Sequence, residues 1–295
     1  MQSEIAKNFS IIIPVYNEAE TIKNTVSGII DTLEPQFSRN YEIILVNDCS
    51  TDKCEEILEQ IHNSPDPTIV LHHPINKGYG ASLKTGIRHS KYNWIIIMDG
   101  DGTYPVHSIP DLIKQSNNYD LITGHRQING KGIPFERRWA KNFLNRFTSY
   151  LVSSKIPDLN CGLRMFKKDI VIKYWDLFPE KFSFTSTLTM VCLSHSYPTK
   201  FIPIEYYKRK GKSSIRAVDF INFLKLVTKL SLFFRPIKVF LPLSLLLLAV
   251  PLVLTVLFFL GIISTFYDTT ILILFATALQ TLFFGLLAEI VIYNK

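Results

Sequence analysis

Two long runs without a charged residue lie near the carboxyl end of this chain and limit what it can fold into. The first extends from Val239 to Tyr267 and the second from Thr269 to Ala288, with Asp268 between them. A bilayer core needs about 20 apolar residues per helix, so each run is long enough to cross it. Both runs are apolar on all sides rather than along one stripe, which favours two spanning helices over the alternative, two buried helices in a soluble core.

The positive residues beside these runs predict how the hairpin is oriented. Four precede the first run, one follows the second, and the turn between the runs has none: Lys225, Lys229, Arg235, Lys238 and Lys295. Because Lys and Arg favour the cytoplasmic side, we expect an integral membrane protein whose large amino-terminal part and both termini are cytoplasmic. Residues 1–10 are polar and lack the pattern of a secretory signal.

The charge of the chain is concentrated before the hairpin. The 295 residues carry a net charge of +7, and residues 1–238 hold 31 of the 32 Lys and Arg residues. An anionic membrane surface or a phosphate-bearing substrate suits this charge. No aromatic-basic array typical of a nucleic-acid module is visible, so no nucleic-acid partner is expected. The four cysteines form no Cys-x-x-Cys pair, which argues against a zinc site.

Strand and helix patterns alternate through the first half of the chain. The predicted strands cover residues 9–15, 41–46, 68–71, 94–98 and 120–123, with a further strand at 201–206. The predicted helices cover residues 18–33, 51–61, 80–89 and 107–116. This succession predicts an α/β fold with a mainly parallel sheet and helices on both faces.

Polar clusters follow four of these strands. They are Pro14–Glu20, Asn47–Asp52, Asp99–Asp101 and Gly124–Arg126. A single cluster is explained by helix capping, for which Ser50 and Asp52 are well suited. Four clusters at the carboxyl ends of strands instead favour a ligand site at that edge of the sheet.

The Asp99-Gly100-Asp101 cluster has a specific chemical implication. It directly follows the apolar run from Trp94 to Met98. Two carboxylates this close repel one another, and burying them without compensation is costly. Mg²⁺ is often held by one or two protein carboxylates, with water and substrate phosphates as its other ligands. We therefore expect a divalent cation, Mg²⁺ or Mn²⁺, that also holds a phosphorylated substrate.

The second half of the chain is less regular. Residues 135–154 predict a long amphipathic helix, and residues 158–164 a polar turn. Residues 217–234 have apolar side chains at helical spacing, which predicts a helix in the membrane interface or, alternatively, one packed on the first domain. We expect three parts: a catalytic domain at 1–215, a juxtamembrane amphipathic helix at 216–237, and a two-helix transmembrane hairpin at 238–295.

Four motifs follow one another in order along the chain: Ile11–Glu18, Val46–Asp48, Asn76–Gly80 and Asp99–Asp101. This series resembles glycosyltransferase family 2, which has the GT-A (Rossmann-like) fold, and the resemblance covers roughly residues 9 to 215. More narrowly, the chain is similar to polyprenyl-phosphate glycosyltransferases of the dolichyl-phosphate mannose synthase type. That likeness depends on Asp99–Pro105, Asp158–Arg164, Arg209–Ser213 and the two apolar runs.

The resemblance implies roles for particular residues. The residues implied to bind the nucleotide sugar are Pro14, Tyr16, Glu18, Asp48, Gly78, Asp99, Gly100, Asp101, Arg209, Lys212 and Ser213. Asp99 and Asp101 match the metal motif. The residues implied to receive the lipid phosphate are Arg126, Arg137, Arg138 and Lys141. The implied catalytic residues are Asp99, Asp101, Arg126 and Arg209.

The reaction implied is transfer of a hexose, with inversion, from a nucleoside diphosphate sugar to a dolichyl or undecaprenyl phosphate. A phosphate monoester has a second pKa of about 6, so its oxygen is already a nucleophile at neutral pH and needs no general base. This agrees with the sequence from Phe184 to Met190, which lacks the Glu that many relatives carry there. Two alternatives remain: transfer to a saccharide hydroxyl, and a catalytically idle membrane scaffold. Self-association into a homo-oligomer is also compatible with the sequence.

Overall fold

The structure, a computed structural model, forms two compact units. It describes residues 6–37, 40–127, 145–181, 183–207, 225, 228–229, 231–265 and 267–293. The first unit comprises residues 1–145 and 156–216, and the second comprises residues 146–155 and 217–295. The three-part division expected from the sequence stays a prediction.

The first unit is built on a seven-stranded sheet. Its strands are β1 (Phe9–Val15), β2 (Tyr41–Asn47), β3 (Thr68–His72), β4 (Trp94–Ile97), β5 (Leu121–Arg126), β6 (Arg164–Lys167) and β7 (Thr199–Ile204). Their order across the sheet is β3-β2-β1-β4-β6-β5-β7. All neighbours are parallel except that β6 runs antiparallel to both β4 and β5. The predicted mainly parallel sheet is therefore confirmed.

Strand β6 was not predicted from the sequence. Arg164, expected at the end of a polar turn, is its first residue and lies opposite Ile97 of β4 and Thr123 of β5. The strand has only four residues, Arg-Met-Phe-Lys, which is too short to show a period. Its antiparallel direction brings its amino end to the edge where β4 and β5 end.

The described part of the first unit contains six α-helices, of which the first four correspond to the predicted helices with bounds that differ by a few residues. They are α1 (Ile22–Phe37), α2 (Cys54–His62), α3 (Tyr79–His89), α4 (Ile109–Lys114), α5 (Lys168–Lys173) and α6 (Phe184–Ser194). The largest difference is at α1, which was expected to begin at Glu18. Asn17 has a φ of 57°, and Thr21 donates its hydroxyl to the Gly100 carbonyl oxygen at 2.8 Å. These local contacts keep residues 18–21 out of the regular helix.

Both faces of the sheet are covered, as the alternation along β1 shows. Ile11 and Ile13 belong to a buried cluster that includes side chains of α1, α2 and α4. The intervening Ile12 faces α3, where a β-carbon on Gly86 would overlap its side chain. Burial of apolar side chains on both faces is the main stabilising contribution to such a sheet.

The second unit contains two long apolar helices, α7 (Ile237–Phe259) and α8 (Asp268–Tyr293). Both are long and apolar enough to cross a membrane, and only 11% of the most apolar 18-residue window of each is buried. They pack on each other, since the Ser244 hydroxyl donates to the Ala278 carbonyl at 2.9 Å and the Glu289 carboxylate accepts the Ile237 N–H at 3.2 Å.

Residues 145–152 and 231–234 are also helical. They are parts of the two amphipathic helices expected at 135–154 and 216–237. The remaining described residues of the first, 153–154, form no helix. Residues 135–144 and most of 216–230 lie outside the described residues.

Candidate active site

The loops after β1 and β2 are joined by hydrogen bonds at the carboxyl edge of the sheet. The Asn17 side-chain oxygen accepts the Thr51 N–H at 2.8 Å, and the Asn17 N–H donates to the Ser50 hydroxyl at 3.1 Å. Asp52 accepts the Ala19 N–H at 3.0 Å. These bonds fix the loop that carries two predicted donor-binding residues, the exposed Tyr16 and the half-buried Glu18. A third, Pro14, lies within β1, just before this loop.

Asp48, predicted to contact the nucleoside, is buried and already has three hydrogen-bond partners. Its carboxylate accepts the backbone N–H groups of Lys77 and Gly78, each at 2.8 Å. One of its oxygens also lies 2.7 Å from Nδ1 of His73, whose Nε2 lies 2.9 Å from the Thr85 hydroxyl. Asp48 therefore ties the loop after β2 to the loop before α3, and any contact with a nucleoside must be made beside these bonds.

Gly78, predicted to lie at the donor site, packs against another loop. Its φ is 104°, a conformation that side-chain-bearing residues rarely adopt, and a β-carbon there would be 3.0 Å from the Glu180 carbonyl oxygen. The N–H groups of Gly80 and Ala81 donate to the carbonyls of Lys181 and Glu180, at 3.0 and 2.6 Å. Close packing thus accounts for glycine here, and these two helix N–H groups are paired within the chain.

The Asp99 carboxylate packs between the Tyr79 hydroxyl and the backbone of Gly162. The Tyr79 hydroxyl donates to Oδ1 of Asp99 at 2.9 Å. On the other side, a β-carbon on Gly162 would overlap the Asp99 carboxylate. Burial, followed by the negative charge of Asp99, raises the pKa of Tyr79 well above its usual value, so the phenol stays protonated and remains a donor. The orientation of Asp99 is therefore set by Tyr79 and by the backbone at Gly162.

Asp101, the second carboxylate of the motif, is buried. Its Oδ1 accepts the Thr103 N–H at 3.1 Å and the Thr103 hydroxyl at 2.6 Å. Among the described residues, no group of three or more His, Cys, Asp or Glu side chains could hold a metal ion. Asp99 and Asp101, the predicted metal ligands, carry hard carboxylate oxygens, to which phosphate and water would add the remaining ligands of a cation. This donor set fits Mg²⁺ or Mn²⁺, which favour such mixed coordination.

Arg126, predicted to receive the lipid phosphate, forms a bidentate pair with a buried carboxylate. Its Nε and Nη2 donate to the two oxygens of Asp158 at 2.7 and 2.8 Å. The guanidinium also lies 5.2 Å from the ring centroid of Tyr206, a cation–π distance. Burial alone would lower the pKa of Arg126, but its hydrogen bonds with Asp158 and neighbouring negative charges raise it, so it remains a fixed positive charge.

Arg164 is fully buried and organises the loop that precedes β6. Its guanidinium donates to the carbonyl oxygens of Leu159, Cys161 and Thr185, and to the Thr189 hydroxyl. Burial lowers the pKa of Arg164, and the surrounding acceptors stabilise the charged form. Because these partners lie in both the loop and α6, Arg164 holds the loop with Asp158 and Gly162 against that helix.

Two further contacts fix this loop. The Tyr104 hydroxyl accepts the Gly162 N–H at 2.7 Å, and the Ser186 hydroxyl donates to the Asn160 side-chain oxygen. Ser186 lies on α6, whose sequence Phe-Thr-Ser-Thr-Leu-Thr-Met-Val-Cys-Leu-Ser contains no carboxylate. This described helix therefore offers no carboxylate base, and hydroxyl side chains occupy four of its buried positions.

The structure brings together part of the predicted site. Asp99, Gly100, Asp101 and Arg126 all lie at the carboxyl edge of the sheet, as do the loops with Pro14, Tyr16, Glu18 and Asp48. Six predicted residues lie outside the described residues: Arg137, Arg138, Lys141, Arg209, Lys212 and Ser213. The roles of all predicted site residues stay predictions.

Sequence reasoning assigned no role to several residues that form this site. They are His73, Tyr79, Tyr104, Asp158, Gly162 and Arg164. Tyr79 stands inside the quoted Asn76–Gly80 motif, and the last three stand inside Asp158–Arg164. The motifs marked the right segments, but only three-dimensional contacts show that Tyr79 and Gly162 meet Asp99 from opposite parts of the chain.

Solved structures share this fold at low sequence identity. A Staphylococcus aureus TarS structure in complex with UDP-GlcNAc is 18% identical, covers 76% of this chain and 66% of that one, and has a TM-score of 0.55. Glucosyl-3-phosphoglycerate synthase from Mycobacterium tuberculosis, in complex with Mn²⁺, UDP and phosphoglyceric acid, is 13% identical, with 76% and 78% coverage and a TM-score of 0.58. The fold is GT-A.

Curated relatives are more similar in sequence. An undecaprenyl-phosphate 4-deoxy-4-formamido-L-arabinose transferase from Photorhabdus laumondii is 31% identical over 174 residues, which are 58% of this chain and 52% of the relative. The transferase of the same name from Edwardsiella ictaluri is 28% identical over 219 residues, with 73% and 65% coverage. The chain thus spans about half to two thirds of the length of these relatives.

The family model described as glycosyl transferase family 2 matches residues 10–175. This match covers more than half of the chain and includes β1 to β6, the Asp99–Asp101 motif and the Asp158–Arg164 loop. The chain belongs to glycosyl transferase family 2.

Proposed function

We propose that this protein transfers a hexose from a nucleoside diphosphate sugar to a polyprenyl phosphate at the cytoplasmic face of a membrane, with inversion at the anomeric carbon. The observation that carries the proposal is a pair of carboxylates, Asp99 and Asp101, at the ligand-binding edge of a family 2 sheet. Membership of the family supports the sugar-nucleotide donor. The undecaprenyl-phosphate transferases among the relatives support the lipid acceptor.

The donor pyrophosphate would be bound with the help of a divalent cation. Asp99 and Asp101 would hold Mg²⁺ or Mn²⁺, and the cation would stabilise the charge that develops on the departing nucleoside diphosphate. A neighbour of the same fold binds Mn²⁺ together with UDP, which agrees with the donor set here. Tyr79 and Gly162 fix the Asp99 carboxylate that would help to hold the cation.

The acceptor phosphate would be oriented by arginine. Nε and Nη2 of Arg126 are engaged by Asp158, and the guanidinium retains further N–H groups on Nη1 and Nη2. An acceptor phosphate would use these groups, so Asp158 orients Arg126 without removing it from the reaction. Arg137, Arg138 and Lys141 are proposed to add further positive charge.

The lack of a carboxylate on α6 favours a phosphate acceptor over a saccharide hydroxyl. A hydroxyl must lose its proton as it attacks, which requires a positioned base. A phosphate dianion carries its nucleophilic oxygen already deprotonated at neutral pH, since its second pKa is about 6. The hydroxyl side chains along α6 cannot take the role of a carboxylate base.

The hairpin of α7 and α8 agrees with a lipid acceptor. Both helices are long and apolar enough to cross a membrane, and most of their large side chains are exposed. An enzyme anchored in this way meets a lipid substrate in the same bilayer. The cytoplasmic location of the first unit and both termini follows from the positive residues before α7 and is part of the proposal.

The decisive experiment uses the full chain reconstituted in lipid nanodiscs that contain a short polyprenyl phosphate. Radiolabelled nucleoside diphosphate sugars are added one at a time with Mg²⁺ or Mn²⁺, and lipid-linked sugar is measured by extraction into organic solvent. We expect one or a few donors to label the lipid. Chelation, Asp99→Asn and Asp101→Asn should each abolish labelling.

Three results would contradict parts of this proposal. Labelling of a soluble saccharide acceptor with none of the lipid would favour the hydroxyl-acceptor alternative. Near-full activity of both Asp variants in excess chelator would remove the metal role. No transfer from any donor, with no binding of a sugar nucleotide in the presence of Mg²⁺ or Mn²⁺, would leave the idle scaffold. Lys23→Gln, on the exposed side of α1, serves as a control that should retain activity.

A further inference from the structure

The second unit combines two distant parts of the chain that are both rich in positive residues. The unit's residues 146–155 and 217–238 contain six Lys or Arg residues and a single acidic one, Asp219. We call the six the basic collar: Arg146, Lys155, Lys225, Lys229, Arg235 and Lys238. Such an excess of positive charge attracts anionic groups.

Two contacts join the two segments of the collar. Nη1 of Arg235 donates to the Ser153 hydroxyl at 3.3 Å. The Lys238 ammonium lies 5.0 Å from the ring centroid of Tyr150. Residues 146–155, which stand more than 60 positions earlier in the sequence, are thereby held beside the first turn of α7. The collar is a feature of the folded unit rather than only a charge run.

The collar is not neutralised by the part of the chain that the structure describes. None of the ion pairs formed there involves any of its six members. At the start of α7, the Glu289 carboxylate accepts the Ile237 N–H at 3.2 Å. Two carboxylates, Asp219 and Glu289, against six cations leave these segments with an excess of positive charge.

Exposed apolar and aromatic side chains accompany these cations. Tyr150 is 47% exposed, Leu232 39% and Phe233 52%, and α7 begins five residues after Leu232. Cations mixed with exposed aromatic rings directly before an apolar helix are typical of a membrane interface, where rings lie at the headgroup level. This arrangement places the collar at the depth of lipid phosphates if α7 spans the bilayer.

We propose that the basic collar binds the phosphate headgroups of bulk anionic phospholipids. The chemistry is complementary, since each headgroup supplies one phosphodiester charge and each Lys or Arg near the surface is worth about fivefold in affinity. The proposal goes beyond the proposed function, because this binding needs neither a sugar nucleotide nor a polyprenyl phosphate. Its consequence is a requirement for anionic lipid around the anchor, separate from the substrate lipid.

The test measures lipid retention by the full chain in a neutral detergent. Equal amounts of dioleoylphosphatidylglycerol and dioleoylphosphatidylcholine are added, with no nucleotide and no polyprenyl phosphate, and bound lipids are counted by native mass spectrometry. We expect phosphatidylglycerol to be retained preferentially. Raising the ionic strength from about 0.05 M to about 0.5 M should reduce the preference, because screening shortens the range of the attraction.

Two double variants test the collar itself. Arg235→Gln with Lys238→Gln should lose about 25-fold of the preference, at about fivefold for each neutralised charge. Lys225→Gln with Lys229→Gln removes two exposed cations that make no described contact, so it keeps the test valid if the first pair disturbs packing. Lys23→Gln with Lys53→Gln removes the same charge from the first unit and should retain the preference.

Several outcomes would overturn the proposal. Equal retention of the two lipids by the unaltered chain would do so, as would an unchanged preference in both collar variants. Tight binding of a hexaglutamate peptide that the collar variants lose, with no lipid preference, would assign the surface to an acidic protein. A chain that prefers phosphatidylglycerol but transfers no sugar would refute only the proposed function, and the converse result would refute only the collar.

Discussion

The active-site edge of the sheet and the α7–α8 hairpin use polar groups in opposite ways. At the edge, buried charged and polar side chains are linked by many hydrogen bonds, with Arg164 alone contacting four partner groups. In the hairpin, large apolar side chains are exposed and few polar contacts join the described helices, such as that of Ser244 with Ala278. Bonds in the low-dielectric interior are stronger and costlier to lose, so substitutions at the edge should have the larger effects.

The largest effect is expected from Arg164→Met, which would leave the carbonyls of Leu159 and Cys161 without the donors of the buried guanidinium. Each unsatisfied group costs about 1–3 kcal/mol, so we expect a loss of more than about 3 kcal/mol and a melting temperature lower by about 10 °C. Thermal unfolding of the full chain in detergent, followed by near-ultraviolet circular dichroism, measures it.

The matched variant is Arg164→Lys, which keeps the charge but cannot reproduce the planar set of donors, and it should be intermediate. If Arg164→Met unfolds at the temperature of the unaltered chain, Arg164 does not hold the loop and the contrast between the two regions is lost.

The next largest effect is expected from Gly162→Ala. The new methyl group would overlap the Asp99 carboxylate and displace it. A displacement of about 1 Å at a reacting group can cost about 100-fold in rate, and we expect a loss of that size in sugar transfer. Initial rates at saturating donor in nanodiscs measure it.

Gly28→Ala, in the middle of α1, is the control for adding a methyl group where the nearest atom of Val106 is 3.3 Å away, and it should change the rate little. Full activity of Gly162→Ala would show that the orientation of Asp99 does not depend on this close approach.

A smaller effect is expected from Tyr79→Phe, which removes the hydroxyl that donates to Asp99 at 2.9 Å. A hydrogen bond to a charged group contributes about 1.5–3 kcal/mol, so Mn²⁺ affinity in the presence of a nucleoside diphosphate should change by about tenfold or more. Electron paramagnetic resonance of free Mn²⁺ reports this directly, without depending on turnover.

We expect weaker binding, because the variant carboxylate must be ordered by the cation itself. Tyr92→Phe removes a hydroxyl before β4, at the opposite end of that strand from Asp99, and should bind Mn²⁺ as the unaltered chain does. An unchanged affinity for Tyr79→Phe would restrict Tyr79 to a packing role.

The smallest effect is expected in the hairpin. Ser244→Ala deletes the bond to the Ala278 carbonyl, and polar contacts between membrane helices average about 0.6 kcal/mol. Transfer rates should stay within about twofold, and resistance to unfolding in a harsh detergent should fall slightly. A loss of stability as large as that of Arg164→Met would show that the two regions do not differ as described.

Much of the fold could be predicted because it depends on local patterns. The apolar runs of β1 and β4 and the polar residues after them predict a parallel sheet with a site at its carboxyl edge. The uncharged runs predict α7 and α8 from length alone. Each of these signals is contained within one short segment of the sequence.

What escaped prediction depends on contacts between distant segments. The sequence around Asp158 and Arg164 indicates a polar turn, because both side chains are charged and a four-residue strand shows no period. Asp158 is buried because it pairs with Arg126, and Arg164 is buried because it binds residues of α6. In the same way, Asp48 carries a pattern typical of ligand binding, yet its carboxylate holds Lys77 and Gly78, 29 and 30 positions later in the chain.

The reversed direction of β6 has a consequence for insertions and deletions. The six-residue step from Asp158 to Arg164 is held at one end by Arg126 of β5 and at the other by α6, with Gly162 set between Asp99 and Tyr104. A segment held at both ends and in its middle cannot accommodate an insertion or deletion without moving one of these contacts. Removing even one residue from this step would disturb either the pairing of Asp158 with Arg126 or the close approach of Gly162 to Asp99, so its length should be far less variable among active relatives than its composition.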